Sequence, residues 1–385
     1  MSKATNPFKG LIPYEEKDKD NFYGRDREAD GLFNMVKLNS LTIVSGKSGI
    51  GKTSLINAGL FPRLRKNGFL PIPIQLNYQS KKSLHLQAIQ SMGKTFAAHG
   101  IMEEEISGGE KTTLLKKGES LFDYFSRVKH VDSKGKAWIP VLVLDHFEEL
   151  FTVGRKHTGH EALMSDLIFL VESQVLSNIQ ESGRDMNPGI DALLKVRVVW
   201  ALEQNSLTYL NMLKRQIPLN DVLFPLDYLS ARQAWEVINM PDGFADDGIK
   251  VDILMEFYLE DMKPTENLNE DNVEVDPSLL SLLCYQMLDT GTTWFPGRGK
   301  HAILRNFYET ELKKLPRSKE LERFIETRLL TEDGACTPFY LDPKFKLKDS
   351  VEAAISRRIL RKVTSEEKEL VEIIHDVLAP VIKEK

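Results

Sequence analysis

The stretch LTIVSGKSGIGKTS at residues 41–54 decides the fold. Its apolar and β-branched beginning predicts a buried strand, and residues 46–53 fit the pattern G-x-x-x-x-G-K-[ST] at every fixed position. In this pattern the glycines let consecutive backbone N–H groups turn toward phosphate oxygens, and the helix that begins near Lys52 directs its positive end at them. The stretch therefore predicts a strand, a phosphate-binding loop and a helix.

The residue types in this loop have distinct expected roles. Lys52 is a candidate catalytic residue because its ammonium group reaches the β- and γ-phosphates, and the Thr53 hydroxyl is a candidate Mg²⁺ ligand. The candidate nucleotide-binding residues of the loop are Gly46, Ser48, Gly49, Ile50, Gly51, Lys52, Thr53 and Ser54. The alternative is a glycine turn that matches the pattern by chance. It is disfavoured because the predicted strand before the loop and the predicted helix after it are the context that a phosphate-binding loop requires.

The segment PVLVLDHFEELF at residues 140–151 supplies the carboxylate that such a site needs. Its apolar run delivers Asp145 to the carboxyl end of a strand, where ligands bind in open α/β sheets, so Asp145 is the second expected Mg²⁺ ligand. Glu148 or Glu149 is expected to orient or deprotonate the attacking water, and Glu148 is preferred because it lies nearer the strand. An acidic pair that opens a helix, stabilised by the helix dipole, is the alternative for both residues.

Strand and helix patterns alternate from residue 41 to residue 225. Besides the two motif strands, the periodicity predicts strands at residues 69–76 and 193–202 and helices at residues 83–96 and 119–128. This alternation indicates a parallel sheet covered by helices on both faces. Residues 101–120, in which glycines and charges cluster, are predicted to be a loop or an insertion.

Helical periodicity dominates after residue 225. Helices are predicted at residues 230–239, 277–288 and 350–363, and a short strand at residues 371–374. The chain is therefore divided into an N-terminal arm and entry helix at 1–40, a nucleotide-binding domain at 41–225, a small helical domain at 226–299 and a final domain at 300–385.

Composition narrows the range of partners. The chain has 385 residues and a formal net charge of −5, which gives it no overall attraction to a polyanion and disfavours nucleic acid as a partner. Its two cysteines, Cys284 and Cys336, lie far apart and show no metal-ligand spacing, which favours a reducing compartment. The longest apolar run, at residues 138–144, is too short to cross a bilayer. We expect a soluble cytoplasmic protein without a membrane partner.

Six motifs in order make the chain resemble the STAND class of signal-transduction P-loop ATPases, and more narrowly its bacterial branch with a D-x-F-E-E-L-F metal strand. They cover nearly the whole chain and read FYGRDRE, GKSGIGKT, VLVLDHFEELF, VVWALEQNSL, PSLLSLLCYQML and VEIIHDVLAP. The resemblance implies an α/β P-loop NTPase domain with an AAA+/STAND-like parallel sheet, followed by an all-α lid at 226–299 and a C-terminal winged-helix domain at 300–385.

The resemblance also implies how such a protein works. Members of the class hold ADP in a resting state, exchange it for ATP and then form homo-oligomers, so ATP or ADP with Mg²⁺ is the implied cofactor set. A sensor or effector domain, or a separate protein partner, is implied as well. A role in bacterial stress response or antiphage defence is the corresponding expectation.

Four positions outside the loop carry over from the resemblance, and three of them, Arg25, Pro277 and His375, are candidate nucleotide contacts. Gly24 and Arg25 match the entry-arm motif near the adenine, Pro277 matches the lid proline, and His375 matches the histidine that contacts the β-phosphate of ADP. The residues alone also allow a salt bridge for Arg25, a first-turn position for Pro277 and ordinary packing for His375. The glycine usual two residues before the lid proline is Val275 here.

One departure from the class concerns the end of the fourth strand. Relatives usually carry an arginine there that senses the γ-phosphate, whereas this chain reads Leu202, Glu203, Gln204, Asn205. Because a carboxylate cannot stabilise charge on a transferring phosphoryl group, either another cation substitutes or turnover is slow. The candidates for substitution are Arg357, Arg358 and Arg361, which alternatively form an ordinary solvated helix face.

Two other functions compete with a nucleotide-gated switch. One is an AAA+-like ATPase that acts as a loader or remodeller by continuous turnover. The other is a DNA-binding regulator that uses the winged helix, which the acidic balance disfavours.

Overall fold

The computed structural model describes residues 6–78, 80–106, 119–181, 196–212, 221–239, 274–290, 300–342, 344–364 and 369–384, together with residues 248 and 253. The chain forms two compact units. We call residues 26–48 and 52–226 the sheet unit, and residues 1–25, 49–51 and 227–385 the terminal unit. The chain therefore leaves the sheet unit within the phosphate-binding loop and returns to it three residues later.

Five parallel strands form the centre of the sheet unit: β1 Leu41–Gly46, β2 Phe69–Pro73, β5 Ala137–Leu144, β6 Arg197–Glu203 and β7 Leu223–Pro225. Their order in the sheet is β2-β5-β6-β1-β7. All six residues of β1 are buried, which explains its continuous apolar character, since helices cover both faces of a parallel sheet. The predicted P-loop sheet is confirmed, and β6 lies between the loop strand β1 and the metal strand β5.

An antiparallel edge departs from the all-parallel prediction. Strands β3 Met102–Glu105 and β4 Val128–Val131 pair with each other, and β4 pairs with the beginning of β5. Only a turn at residues 132–136 joins β4 to β5, with Gly135 at φ 77°, and so short a connection permits only antiparallel pairing. Of the two alternatives predicted for residues 101–120, a loop or an insertion, the loop is wrong at residues 102–105, which form a strand. Residues 107–118 of that segment lie outside the described residues.

The helices of the sheet unit agree with the predicted pattern. They are Asp26–Leu38, Lys52–Ser54, Phe61–Lys66, Leu84–His99, Leu121–Arg127 and His160–Glu181, with 3-10 turns at Phe147–Phe151, Val153–Lys156 and Gln204–Met212. The helix Leu84–His99 begins where Ser83 Oγ accepts a hydrogen bond from the Leu86 amide, and it ends at Gly100 with φ 61°.

The helix after the phosphate-binding loop is not a uniform α-helix. Residues Leu55–Leu60 form a wider π-helical turn between two α-helical segments. Pro62 has no amide hydrogen to donate to the carbonyl of Ala58, which favours a rearranged hydrogen-bond pattern at this place. The buried residues of the turn, Leu55, Ile56 and Leu60, nevertheless anchor the helix in the unit.

The terminal unit contains six helices and two small sheets among its described residues. The helices are Ala231–Asn239, Pro277–Thr290, Lys300–Lys313, Ser318–Arg328, Lys348–Ser356 and Ala379–Lys383, with 3-10 turns at Glu16–Asn21 and Asp376–Leu378. The strands are β8 Leu229–Ser230, β9 Glu274–Val275, β10 Phe339–Tyr340, β11 Leu360–Thr364 and β12 Glu369–Ile373. The two sheets are β8-β9 and β10-β12-β11, both antiparallel.

The helix predicted at residues 350–363 is wrong in its second half. It ends at Ser356, Arg358 has φ 62°, and the amide of Ile359 donates to the carbonyl of Ala354, which is the 6→1 bond of a Schellman motif. The chain then enters β11, which pairs with β12. Glycine is the usual residue at such a left-handed position, and an arginine there is uncommon. The sequence therefore has no glycine that would indicate the end of this helix. The short strand predicted at residues 371–374 is confirmed as part of β12.

One core holds the terminal unit together. Phe8 and Leu11 of the N-terminal arm belong to the same buried cluster as Leu282, Phe307 and Ile359. Tyr14 donates to the carbonyl of Pro7, and the Asn6 side-chain amide donates to the carbonyl of Tyr285. The arm is therefore an integral part of this unit. Within the described residues, none of the helices combines the length and the apolar character that crossing a membrane requires.

Candidate nucleotide site

The phosphate-binding loop has the backbone that its sequence predicts. Gly49 and Gly51 have φ values of 78° and 91°, in the left-handed region that side chains other than glycine rarely adopt. The Lys52 ammonium donates to the carbonyl of Gly46 at 2.9 Å and to that of Lys47 at 3.0 Å. The Lys52 ammonium thus lies over the beginning of the loop, where its charge can meet a phosphate group.

Thr53 and Asp145 lie together, as the predicted metal pair requires. The Thr53 hydroxyl donates to Asp145 Oδ2 at 2.5 Å, and the amide of His146 donates to Asp145 Oδ1 at 2.9 Å. His146 adopts φ 52°, so the chain turns sharply directly after the carboxylate. A hydroxyl and a carboxylate side by side are the oxygen ligands that Mg²⁺ prefers, and this donor set fits a magnesium ion held mainly by phosphates and water.

Glu203 lies at the end of β6, the strand between β1, which leads into the loop, and β5, which leads to Asp145. It is the strand partner of Gly46, the first glycine of the loop. Burial lowers the pKa of the Lys52 ammonium, while the negative charges of Glu203, Glu148 and Asp145 act in the opposite direction. The sequence showed only that an arginine is missing here, whereas the strand register places a carboxylate beside the loop.

The two candidate bases differ in their surroundings. Phe147 stacks on Trp200 with ring centroids 4.1 Å apart, which fixes the turn that carries both glutamates. Glu148 Oε2 is buried and accepts no hydrogen bond from the described residues. Burial raises the pKa of Glu148, and the charge of Glu203 acts in the same direction. A buried carboxylate oxygen with a raised pKa suits a proton acceptor.

Glu149 belongs to a neighbouring cavity. This cavity, of about 220 Å³, is lined by Ile74, Gln75, Leu76, Tyr78, Leu144, Asp145, His146, Phe147, Glu149 and Leu150. Burial raises the pKa of Tyr78, and the charges of Glu149 and Glu148 raise it further, so the phenol stays neutral. Asp145 is common to the cavity and the metal pair, whereas Glu148 is not among the lining residues.

The tip of the loop, residues 49–51, belongs to the terminal unit and is bonded there by two side chains. Arg25 Nη2 donates to the carbonyl of Asp227 at 2.5 Å and, more weakly, to that of Ile50 at 3.5 Å. The Ser278 hydroxyl donates to the carbonyl of Gly49. Arg25 is buried and bonded to backbone carbonyls, so its predicted place near the adenine stays a prediction. The contact of Ser278 with the loop was not predicted.

The position of Ser278 follows from how its helix begins. Asp276 Oδ1 accepts hydrogen bonds from the amides of Ser278 and Leu279, and Pro277 occupies the first turn. A Cβ built on Gly51 would lie 4.0 Å from Pro277 Cγ. The sequence D-P-S at residues 276–278 could have suggested that Asp276 caps this helix. Nothing in it indicates that Ser278 would donate to the carbonyl of Gly49.

His375 also faces the loop tip. Its Nδ1 accepts a hydrogen bond from the amide of Val377 at 3.3 Å, which assigns the proton of a neutral ring to Nε2. A Cβ built on Gly49 would lie 3.5 Å from His375 Cε1 and 3.7 Å from Nε2. The donor edge of the imidazole is therefore the edge turned toward the loop.

The three arginines considered as substitutes for the missing cation have partners within the terminal unit. Arg357 lies 3.2 Å from Glu311, and Arg361 lies 2.6 Å from Glu372. Arg358 donates to the carbonyl of Lys9 at 2.6 Å and lies over the ring of Tyr285. Each of them has a structural role where it stands.

Several solved structures resemble this chain over most of its length. The Walker-type ATPase PABY2304 of Pyrococcus abyssi shares 15% identity and a TM-score of 0.44, with 97% of this chain and 99% of that chain covered. The Aeropyrum pernix ORC2 protein, solved in ADPNP–ADP complexes, shares 13% identity and a TM-score of 0.42, with 99% and 98% covered. The corresponding values for Cdc6p from Pyrobaculum aerophilum are 12%, 0.40, 94% and 94%.

The sequence itself gives the more specific comparison. The chain has no significant sequence match among curated proteins. Residues 7–294, which contain the loop, the metal strand and the helix that begins at Pro277, match the family described as Novel STAND NTPase 1. With three quarters of its length matched, the chain belongs to this family of P-loop NTPases.

Proposed function

We propose that the protein is an ATP/ADP-binding switch of STAND type. It rests with ADP bound, assembles into homo-oligomers after exchange for ATP, and hydrolyses ATP slowly. Its biological role in this proposal is in bacterial stress response or antiphage defence, with a sensor or effector supplied by a further domain or partner protein. Residues 226–299 act as the lid and residues 300–385 as the winged-helix domain.

A single observation carries the switch proposal. The loop tip at residues 49–51 is bonded to Arg25 and Ser278 and faced by His375, all of which lie in the terminal unit. The tip of the proposed phosphate-binding loop is thereby bonded to side chains of its own unit that lie far from it in sequence. Nucleotide exchange at the loop changes the surroundings of these residues, which is what a switch requires.

The residues of the site divide between binding and hydrolysis. In this proposal Lys52 binds the β- and γ-phosphates, Thr53 and Asp145 hold Mg²⁺, and the amides of residues 46–54 bind phosphate oxygens. The Nε2 proton of His375 is donated to the β-phosphate of ADP. Magnesium neutralises phosphate charge when it is bound.

Slow hydrolysis is supported by the charges around the loop. Glu148 is the proposed base, whereas Glu203 stands at a strand end where a cation would stabilise the transferring phosphoryl group. Loss of such a cation costs on the order of a thousandfold or more in rate. A switch tolerates this loss, while a loader or remodeller that depends on turnover does not.

The test is to identify the nucleotide that purified protein releases on denaturation. We expect close to one ADP per chain by chromatography, and turnover far below many cycles per minute. Lys52→Ala should abolish this retention because it removes the ammonium that lies over the loop. His375→Ala should loosen ADP more than ATP, because its proposed partner is the β-phosphate of the resting nucleotide.

The controls separate the alternatives. Lys82→Ala, a change on a partly buried surface lysine outside the loop, should retain ADP. Unchanged ADP in Lys52→Ala would contradict the site. Protein that purifies empty and turns over ATP rapidly would favour the loader or remodeller, and equal weakening of both nucleotides by His375→Ala would assign that residue to packing.

A further inference from the structure

The end of β6 carries a carboxylate, Glu203, beside the proposed phosphate-binding loop. Glu203 is the parallel partner of Gly46, and the Gly46 carbonyl accepts the Lys52 ammonium at 2.9 Å. Adjacent strands lie about 4.8 Å apart, so Glu203 and Lys52 meet at the same strand end. The half-buried carboxylate therefore lies close to the ammonium that is expected to bind the terminal phosphates.

The alternation of side chains along β6 supports this placement. Trp200 and Leu202 belong to the buried cluster on one face of the sheet, which also contains Leu41 and Ile43. Because successive side chains of a strand point to opposite faces, Glu203 projects from the other face together with Ala201. Glu203 is thus directed away from that cluster, and its strand partner is Gly46, whose carbonyl accepts from Lys52.

The charges at this strand end do not balance. Asp145, Glu148 and Glu203 are three acidic groups that act on Lys52. Asp145 accepts a hydrogen bond from Thr53, and Glu148, with its buried carboxylate oxygen, is the candidate base. The proposed function assigns Glu203 no role toward metal or water, and its charge makes the surroundings of Lys52 more negative.

We propose that Glu203 determines nucleotide specificity by disfavouring a nucleoside triphosphate relative to a diphosphate. This inference rests on the proposed nucleotide switch and adds how the switch is held at rest. A triphosphate brings a further phosphate charge next to Lys52 and hence toward Glu203, whereas a diphosphate ends before that place. The carboxylate thereby determines how far the concentration of triphosphate must exceed that of diphosphate before the triphosphate replaces the bound diphosphate.

The size of the effect can be bounded. Two like unit charges about 7 Å apart, with an effective dielectric constant of about 20, would raise the dissociation constant by roughly fiftyfold. Solvent screening reduces this figure because Glu203 is only half-buried. We expect the ratio of triphosphate to diphosphate dissociation constants to change by about tenfold.

The experiment is isothermal titration calorimetry on the full chain after removal of bound nucleotide. ADP and the non-hydrolysable triphosphate ADPNP are titrated in the presence of Mg²⁺ into the wild type, Glu203→Gln and Glu203→Asp. Glu203→Gln should lower the ratio of the ADPNP to the ADP dissociation constant by about tenfold. Glu203→Asp keeps the charge and should leave the ratio within about twofold of wild type, as should Glu161→Gln, a change of an exposed carboxylate on the helix His160–Glu181.

Each outcome decides something. An unchanged or raised ratio in Glu203→Gln, or the same fall in Glu203→Asp, would overturn the inference while leaving the nucleotide switch intact. Wild-type protein that binds neither nucleotide would instead overturn the proposed function. Thermal melting establishes that each variant is folded, and Glu203→Ala provides a second charge-removing variant that must give the same ratio as Glu203→Gln.

Discussion

At the scale of single residues, the neighbours Glu148 and Glu149 illustrate how position along a turn separates two chemically identical side chains. Glu148 has a buried carboxylate oxygen, and its charge acts on Lys52. Glu149 lines the cavity that also contains Tyr78. The sequence could not distinguish them because both stand in the same acidic run.

We predict that Glu148→Gln reduces ATP hydrolysis by at least about a hundredfold while ADP remains bound, since the amide keeps the shape of the side chain but cannot accept a proton. Glu149→Gln serves as the matched control and should retain most of the hydrolysis. Single-turnover measurements with radiolabelled ATP would detect the slow rates involved. Equal losses in both variants would contradict the assignment of one base.

The pH dependence of hydrolysis follows from the same environment. A base must be ionised to accept a proton, and burial raises the pKa of Glu148 above its ordinary value. We therefore predict that hydrolysis falls as the pH is lowered, and that the fall begins at a higher pH than an exposed glutamate would give. The profile of the single-turnover rate between pH 5 and pH 8 checks this, with nucleotide binding measured at each pH as the control.

Much of the site at this scale was predictable from local sequence. The loop pattern and the apolar run before Asp145 identified residues whose roles depend on short stretches, and the structure brings Lys52, Thr53 and Asp145 together. The contact of Ser278 with Gly49 was not predictable, because it joins residues more than two hundred positions apart. The location of Glu203 beside Gly46 likewise depends on strand register rather than on a motif.

At the scale of elements, the N-terminal arm meets the helix Ala231–Asn239 through a glycine. Gly24 has φ 77°, and a Cβ built on it would lie 2.7 Å from the carbonyl oxygen of Gln233 and 2.7 Å from Val237 Cγ2. The close approach of backbone to backbone therefore requires glycine at this position. This gives a physical reason for the glycine of the entry-arm motif that does not depend on the nucleotide.

We predict that Gly24→Ala destabilises the protein by about 3 kcal/mol, from the left-handed conformation and the two close contacts together. Differential scanning calorimetry with excess ADP should show a lower midpoint. The control is Gly31→Ala in the helix Asp26–Leu38, where a new Cβ would meet Phe224 only at 3.5 Å. Because alanine favours helix, this control should be neutral or stabilising by up to about 1 kcal/mol, and equal destabilisation of both variants would contradict the argument.

Most elements were predictable, and the failures have identifiable causes. The helices with clear periodicity or caps, such as Leu84–His99, agree with the sequence because local signals decide them. The antiparallel pair of β3 and β4 was missed since both strands are short and contain charged residues, and pairing of β4 with β5 stabilises it. The strand β11 was missed because Arg358 occupies a left-handed position that the sequence marks with no glycine.

At the scale of the whole molecule, charge decides which macromolecules the chain attracts. The net charge is −5, and the exposed side of the helix Lys348–Ser356 carries Asp349 and Glu352. Two nearby cations have carboxylate partners, Arg361 with Glu372 and Lys362 with Glu369. A phosphate backbone would meet few unpaired positive charges on this surface.

We predict no measurable binding of duplex DNA at low salt, on the order of 50 mM, because counterion release has too few cations to drive it. Fluorescence anisotropy of a labelled duplex is the measurement. The double variant Asp349→Lys, Glu352→Lys should gain weak, salt-sensitive binding and so shows that the assay can detect it. Tight binding by the wild type with a steep salt dependence would instead support the DNA-binding regulator.

The way in which the N-terminal arm joins its core has a consequence for biosynthesis. Phe8 and Leu11 belong to the same buried cluster as Leu282 and Ile359, which are synthesised more than two hundred residues later. At typical rates of translation these two apolar side chains await their partners for on the order of tens of seconds. During that interval the nascent chain exposes these apolar side chains, which chaperones can bind. Slower translation is expected to increase aggregation of the nascent chain without changing the stability of the folded protein.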